Sequence, residues 1–515
     1  MLEGIMTGLA AAFTIQAILL VIMGCMIGSF IGMIPGLGPM QVIAIMIPVA
    51  IGIGDPPVAM IMLAGVYYGA VFGGSTSSIL INAPGVASTV ATSFDGYPMA
   101  RKGLAGKALT IAAVSSFSGG VIGALILTIA AKPLSDLALS FHSPEYFAIM
   151  ILGMTAVAAF GERGRAYKAV MMLVLGMILA SIGGKAQFAM GYPRFTFDYV
   201  PISDGISAVT LIMGLFALPE AFFLILDRNR GQIKGDGEDK EINNMRITAA
   251  EAREIAPVIG RQSVFGFLIG VMPGAGATIA SLMGYAFERN IAPKDKRDEF
   301  GQGSIRGLSA PETANNAAST GSFVPMLTLG IPGSGTTAIL LVALISLGIR
   351  PGPELINSNP EIFWGVIISM FFGNVVLLIL NYPLIPYIAK LLAVPRTFLI
   401  PFVIFFSMVG AYLTSQNAAE LYTMIILGVL TTILRLAKFP IAPIVIGFIL
   451  GVALEDNLGR ALMDTNYDGF SFIWERPMTL TIMIISALML LYPMVEGSLA
   501  ARQRKRVANS TVNQD

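Results

Sequence analysis

The sequence predicts an all-α, polytopic membrane protein made of two related halves, with broken helices or re-entrant hairpins in each. Three observations lead there: an excess of apolar over charged residues, apolar stretches of bilayer length along most of the chain, and a Gly/Pro motif that occurs twice. Of 515 residues, 55% are hydrophobic and 12% charged, whereas soluble domains carry about 25% charged residues. A bilayer core takes about 20 consecutive apolar residues per helix. Such stretches cover residues 13–34, 111–131, 206–226, 363–380 and 478–492. Roughly 10 to 14 hydrophobic segments are expected in all, several of them short or broken.

Charge and chemistry-bearing residues narrow the function classes. A net charge of +1 gives no sign of a nucleic-acid partner. One cysteine, Cys25, excludes an internal disulfide, and one histidine, His142, excludes a Cys/His metal cluster. No phosphate-binding loop, zinc-protease motif or nucleophile elbow occurs. The first residues lack a basic n-region, so the first apolar stretch reads as a retained helix.

The longest polar stretch, residues 227–254, holds six Lys/Arg and seven Asp/Glu and reads as an exposed linker. It divides the chain into a first membrane repeat (1–226), a cytoplasmic linker (227–254), the core of a second, inverted repeat (255–390), the remaining C-terminal transmembrane helices (391–495) and a basic cytoplasmic tail (496–515). Gly28 to Gly38 and Gly266 to Gly276 share the pattern G-x-x-x-G-x-x-P-G-x-G at an offset of 238. A second block follows in each half. Ser75-Thr76-Ser77-Ser78, Asn82, Pro84-Gly85 and Ser88-Thr89 pair with Ser319-Thr320-Gly321-Ser322, Gly330, Pro332-Gly333 and Thr336-Thr337, with spacing that differs by four residues. Recurrence in the same order points to a structural repeat.

Short cytoplasmic loops are enriched in Lys and Arg. Between its two blocks the first half has no basic residue in residues 52–57, while the second has Arg289, Lys294, Lys296, Arg297 and Arg306. After the second block the bias reverses, with Arg101, Lys102 and Lys107 in the first half and only Arg350 in the second. Corresponding loops are therefore expected on opposite sides, as in inverted-topology repeats whose substrate site lies at the repeat interface.

Helix-breaking Pro and Gly at membrane depth are tolerated where the freed backbone groups line a wet cavity or are buried in protein. Pro35, Gly36 and Gly38, with Pro273, Gly274 and Gly276, mark the first break of each half. The second breaks, at Pro84-Gly85 and Pro332-Gly333, are flanked by hydroxyl and amide groups. Half-helix N-termini there suit a carboxylate, and exposed carbonyl ends a cation. The candidate substrate-binding set is Ser75, Thr76, Ser77, Asn82, Pro84, Gly85, Ser88 and Thr89 from the first half. The second contributes Asn315, Asn316, Ser319, Thr320, Pro332, Gly333, Thr336 and Thr337. The alternative is that these small polar residues only let helices pack closely, the role expected of Gly24, Gly28 and Gly32. Glu312 is the ion-coupling candidate, since an intramembrane carboxylate is a functional hypothesis by default; the alternative is a helix-start charge at the interface.

The stretches PGLGPMQVIAIMIPVAIG, LAGVYYGAVFGGSTSSILINAPGVASTVATSFDGYPMARKGLAGKAL, APETANNAASTGSFVPMLTLGIPGSGTTAILLVAL and GIRPGPEL resemble the large membrane subunit (TctA) of tripartite tricarboxylate transporters. The similarity is strong over residues 32–355 and looser beyond. It implies a multi-pass protein of the bacterial inner membrane that takes up organic carboxylates with a cation gradient, Na⁺ or H⁺, and needs no other cofactor. It also implies two protein partners, a small TctB-like membrane subunit and a TctC-like periplasmic binding protein. The family's motif positions fall on Pro35, Gly36, Gly38, Asn82, Pro84, Gly85, Glu312, Asn315, Asn316, Pro332 and Gly333. A channel with paired re-entrant hairpins and an intramembrane enzyme are the competing readings, the latter disfavoured by the lack of a nucleophile and base set.

Overall fold

A computed structural model of the chain describes residues 2–159, 166–183, 193–227, 242, 244–390, 399–464 and 469–491. Most of the expected linker at 227–254, and the whole tail at 496–515, lie outside the described residues. Those described are helical, with no strand among them. Among the described residues eight helices are long and apolar enough to cross a membrane, and seven further apolar helices are shorter. The described residues divide into two compact units, one drawn from residues 2–139 and 206–433, the other from residues 140–205 and 434–491.

In the larger unit each half runs through the same elements. Ile15–Gly32 and Ala249–Val271 end at the first break, and Pro39–Ile53 and Gly276–Ile291 follow it. Next come Pro56–Ile81 in the first half, and Ile305–Gly321 with Phe323–Leu329 in the second. After the second break stand Ala87–Thr89 with Val90–Arg101, and Gly335–Ser346. Each half closes on a long helix, Ala105–Leu139 and Pro360–Asn381.

Local chemistry sets these boundaries. Thr14, Asp55 and Ser304 accept the backbone N–H three residues on (3.1, 3.2 and 3.2 Å), which satisfies one orphan donor at each helix start. Pro56 and Pro57 occupy the first turn after Asp55, where a missing N–H costs nothing. At the first breaks Gly36 and Gly274 take φ of 95° and 80°, open to glycine and strained for other residues. At the second breaks Asn82 and Gly330 end their helices in the left-handed region, with φ of 52° and 70°.

Close helix packing repeats as well. Gly24, Gly28 and Gly32 lie against the carbonyls of Met62, Val66 and Ala70, and Gly69 and Gly73 against those of Cys25 and Ser29. The ladder glycines thus do what was expected of them, letting two backbones meet. In the second half Gly266 and Gly270 lie against Ala314 and Ala318, and Gly321 against Phe267. The offset is 238 on the first helix of each pair and 248 on the second, from Val66 to Ala314 and from Gly73 to Gly321. This register corrects one sequence expectation. Gly85 meets Gly74, and Gly333 meets Ser322, so Ser322 corresponds to Gly74 and not to Ser78. The four-residue difference in spacing arose from matching runs of similar hydroxyl residues; the backbone repeat has none.

The halves also pack on one another reciprocally. Pro39–Ile53 contacts Gly335–Ser346, while Gly276–Ile291 contacts Ala87–Thr89 and Val90–Arg101. Pro56–Ile81 contacts Pro360–Asn381, and Ile305–Gly321 contacts Ala105–Leu139. Corresponding elements of the two halves thus make corresponding contacts with the other half.

The smaller unit repeats the device once. Ala166–Ala180 and Ala442–Asp464 cross where Gly176 meets the Ile444 carbonyl and Gly447 the Leu173 carbonyl. Arg194 is held by Glu455 at 2.8 Å, and Arg476 by Glu145 at 2.9 Å.

Candidate functional site

Ile305–Gly321 is too polar to count as an apolar span, yet all its residues from Gly307 to Gly321 are buried. Its interior carries Glu312, which is 0% exposed. That burial removes the reading of Glu312 as a charge at a wet helix start. Its Oε2 accepts from Ser75 at 2.9 Å and from Ser116 at 2.6 Å, and its Oε1 accepts from Thr92. Three helices of the first half, Pro56–Ile81, Val90–Arg101 and Ala105–Leu139, thus each place one hydroxyl on a single carboxyl group of the second half. Ser75 was expected in a site. Thr92 and Ser116 were missed, because each lies on a helix without a repeated motif; the sole sequence signal was a hydroxyl residue on the buried face of a helix.

Thr92 has a neighbour of note one turn along its helix. Asp95, buried, accepts from the amides of Gly301, Gly303 and Ser304 at 2.8, 2.8 and 2.7 Å through Oδ1. These amides belong to the loop that leads into the Glu312 helix, so Val90–Arg101 holds both the start and the interior of that helix. Nearby, Glu288 joins Arg261 (2.9 Å) and Arg306 (2.5 Å). On the basic loop Lys296 lies 3.0 Å from Glu299 and 3.7 Å from Glu254, and the Glu299 hydrogen bond with the Glu254 charge holds its ammonium above the usual lysine range.

The remaining candidates separate by what they touch. Thr76 lines a cavity of about 10 Å³ together with Ser75, Ser116 and Asn381, room for a single water. Ser77 and Ser78 turn back to the Gly74 carbonyl at 3.2 and 2.8 Å, and Thr89 lies 2.8 Å from Ser78 and 2.9 Å from the Val86 carbonyl. Thr337 and Ser334 form a capping box at the start of Gly335–Ser346. Ser319, Thr320 and Asn316 bond carbonyls one turn back, those of Asn315, Asn316 and Glu312, at 3.0, 3.1 and 3.0 Å. Ser88 and Thr336 are buried just past the second breaks. Asn315 is different: it is 0% exposed, and neither its amide nitrogen nor its oxygen has a protein partner among the described residues. A buried amide of that kind is normally satisfied by water or a ligand.

The second breaks dock within their own halves. Gly85 lies against the Gly32 carbonyl, and the Gly333 carbonyl accepts the Gly274 N–H at 3.0 Å. Tyr67 ties the second of these breaks to the first half. Its phenol meets the hydroxyls of Ser319, Ser322 and Ser334, and its ring stacks on Phe323 at 5.8 Å. Tyr67 was also missed from the sequence, where it reads as part of an apolar run.

Fold and site together define a multi-pass membrane protein whose two halves share a polar interior. The chain matches the family described as "Tripartite tricarboxylate transporter TctA family" over residues 18–446. It belongs to that transporter family and is the membrane subunit of a tricarboxylate transporter. It is 38% identical, over 92% of each chain, to an Agrobacterium vitis protein described as "Uncharacterized 52.8 kDa protein in TAR-I ttuC' 3'region". It is 42% identical to another from that organism, "Uncharacterized protein in TAR-II ttuC' 3'region", over 40% of this chain and 85% of the relative. No solved structure matches it.

Proposed function

We propose that this chain is the large subunit of a cation-coupled secondary transporter that imports organic carboxylates across the bacterial inner membrane. A periplasmic binding protein delivers the substrate, and a small membrane subunit completes the complex. The two halves lie inverted in the bilayer, and their Pro84-Gly85 and Pro332-Gly333 breaks frame one carboxylate site. The observation that carries this reading is Glu312, a second-half carboxyl held by hydroxyls from three first-half helices. A polar centre that bridges two halves is where movement of one half against the other changes the environment of a bound ion. Few basic side chains lie in these segments, so a carboxylate would be held by half-helix N-termini, hydroxyls and amides, among them Asn315 and Thr336. The lack of a phosphate-binding loop in the sequence supports gradient-driven transport.

The test is uptake into vesicles containing this chain, the small subunit and the binding protein, using labelled citrate and a panel of other di- and tricarboxylates. Accumulation driven by an ion gradient without nucleotide is expected. Uptake that requires ATP with all ion gradients collapsed would overturn the reading.

A further inference from the structure

We propose that the coupling ion is a proton, bound on the Glu312 carboxyl and exchanged through Ser116 with a water in the adjoining cavity; this rests on the transport reading above. An ionised carboxylate moved from water into an apolar interior needs a proton or a cation to accompany it, because the uncompensated charge is too costly to bury. The choice between the two follows from what surrounds the group.

Both carboxyl oxygens already meet hydroxyls directly, Oε2 at 2.9 and 2.6 Å from Ser75 and Ser116, and Oε1 from Thr92. A hard metal cation takes about six or more oxygen ligands, and it would have to sit between these partners and spread them apart. A proton needs no such space. Several charged and titratable groups on the packed helices are engaged elsewhere, while the buried Tyr68 hydroxyl on Pro56–Ile81 has no partner among the described residues. Asp95 faces the amides of Gly301, Gly303 and Ser304, with Tyr285 beside it. Lys107 pairs with Glu251 at 2.7 Å, and Glu288 pairs with Arg261 and Arg306. Tyr67 sits among Ser319, Ser322 and Ser334. No cationic side chain is among the groups that hold Glu312.

A route for exchange lies alongside. The cavity of about 10 Å³ is bordered by Ser75 and Ser116, the two hydroxyls on Oε2, and by Thr76 and Asn381. A hydroxyl both donates and accepts. Hydronium in the cavity gives a proton to Ser116 Oγ as the proton already there passes to Glu312 Oε2. Hydronium becomes water, the serine is unchanged, and the carboxylate becomes the acid. Release is the same sequence reversed. Thr92, on Oε1, acts as a positioning residue and lies outside this path.

Infrared difference spectroscopy on the full chain in lipid tests the site without a transported substrate. At neutral pH, where exposed carboxylates are ionised, the wild type should show a protonated-carboxyl band that shifts in D₂O. The band should be lost in Glu312→Gln and unchanged when choline chloride is replaced by sodium chloride. Ser116→Ala, which keeps the carboxyl, should slow deuterium exchange of the band several-fold. In vesicles of the complete complex, a pH gradient should drive carboxylate accumulation with sodium absent. A band that is missing from the wild type, or that sodium removes, overturns the proposal, as does accumulation that follows a sodium gradient alone. If no carboxylate moves under any gradient while the band behaves as stated, the transport reading fails and the proton site stands.

Discussion

Gly32 sits against Ala70 as Gly270 sits against Ala318, yet Ala64 and Glu312, which occupy corresponding places on those partner helices, have nothing in common. Tyr67 and Tyr68 likewise correspond to Asn315 and Asn316. The halves repeat their glycines, their Pro-Gly breaks and their left-handed helix ends. They do not repeat their polar chemistry. Close backbone approach is a requirement of the scaffold and recurs in both halves, whereas the Glu312 carboxyl is carried by one half alone.

The largest expected effect is a test of the scaffold. Gly32→Ala and Gly270→Ala each push a methyl into the backbone of the facing helix, and each should cost about 1–3 kcal/mol. Gly52→Ala, with open space around it, should cost almost nothing. Thermal unfolding in lipid or detergent reads all three, and a marked inequality between Gly32 and Gly270 would break the equivalence of the halves.

A smaller effect separates conformation from chemistry at the second breaks. Asn82 and Gly330 share the left-handed conformation, so Asn82→Gly should leave stability near the wild type; a Cβ at Gly330 would crowd the backbone of Pro351 and Gly352, so Gly330→Asn should destabilise and Gly330→Val should lose about 1–2 kcal/mol or more. If Asn82 also contacts substrate, Asn82→Gly and Asn82→Leu should both depress uptake while membrane insertion is retained. Normal uptake by Asn82→Gly would leave Asn82 as a helix end and nothing more. Thr336→Val should impair uptake in the same way, and substitutions on Pro477–Leu491, a helix in the other compact unit, should do little.

The orientation of the halves is open to labelling in a Cys25→Ser background. A cysteine placed beside Lys296 should resist an impermeant thiol reagent added outside cells. Ready labelling there would contradict the inversion while leaving the corresponding contacts of the two halves intact.

Much of this was readable in advance. The repeated glycines, the four breaks and the glycine ladder follow from spacing and residue type, because a helix break or a close backbone contact restricts its residues to Gly, Pro or Asn; Glu312 stood out only as a carboxylate in a membrane segment, with two readings open. Three things were not readable. Thr92, Ser116 and Tyr67 act through contacts between helices far apart in sequence, and their own neighbourhoods carry no motif. The four-residue slip came from aligning Ser75 to Ser78 on Ser319 to Ser322, where similar side chains occupy different backbone positions. Ile305–Gly321 was hidden from a count of apolar segments, since its buried polar residues lower its hydropathy.

The most direct measurement is substrate protection of paired single cysteines, Asn82→Cys and Thr336→Cys, each in the Cys25→Ser background and each assembled with the small subunit and binding protein. If the two breaks frame one site, a transported carboxylate should slow thiol modification at both positions over the same concentration range. Protection at neither position, or at one with the other indifferent to substrate, would contradict a shared site and leave the Pro-Gly breaks as packing features.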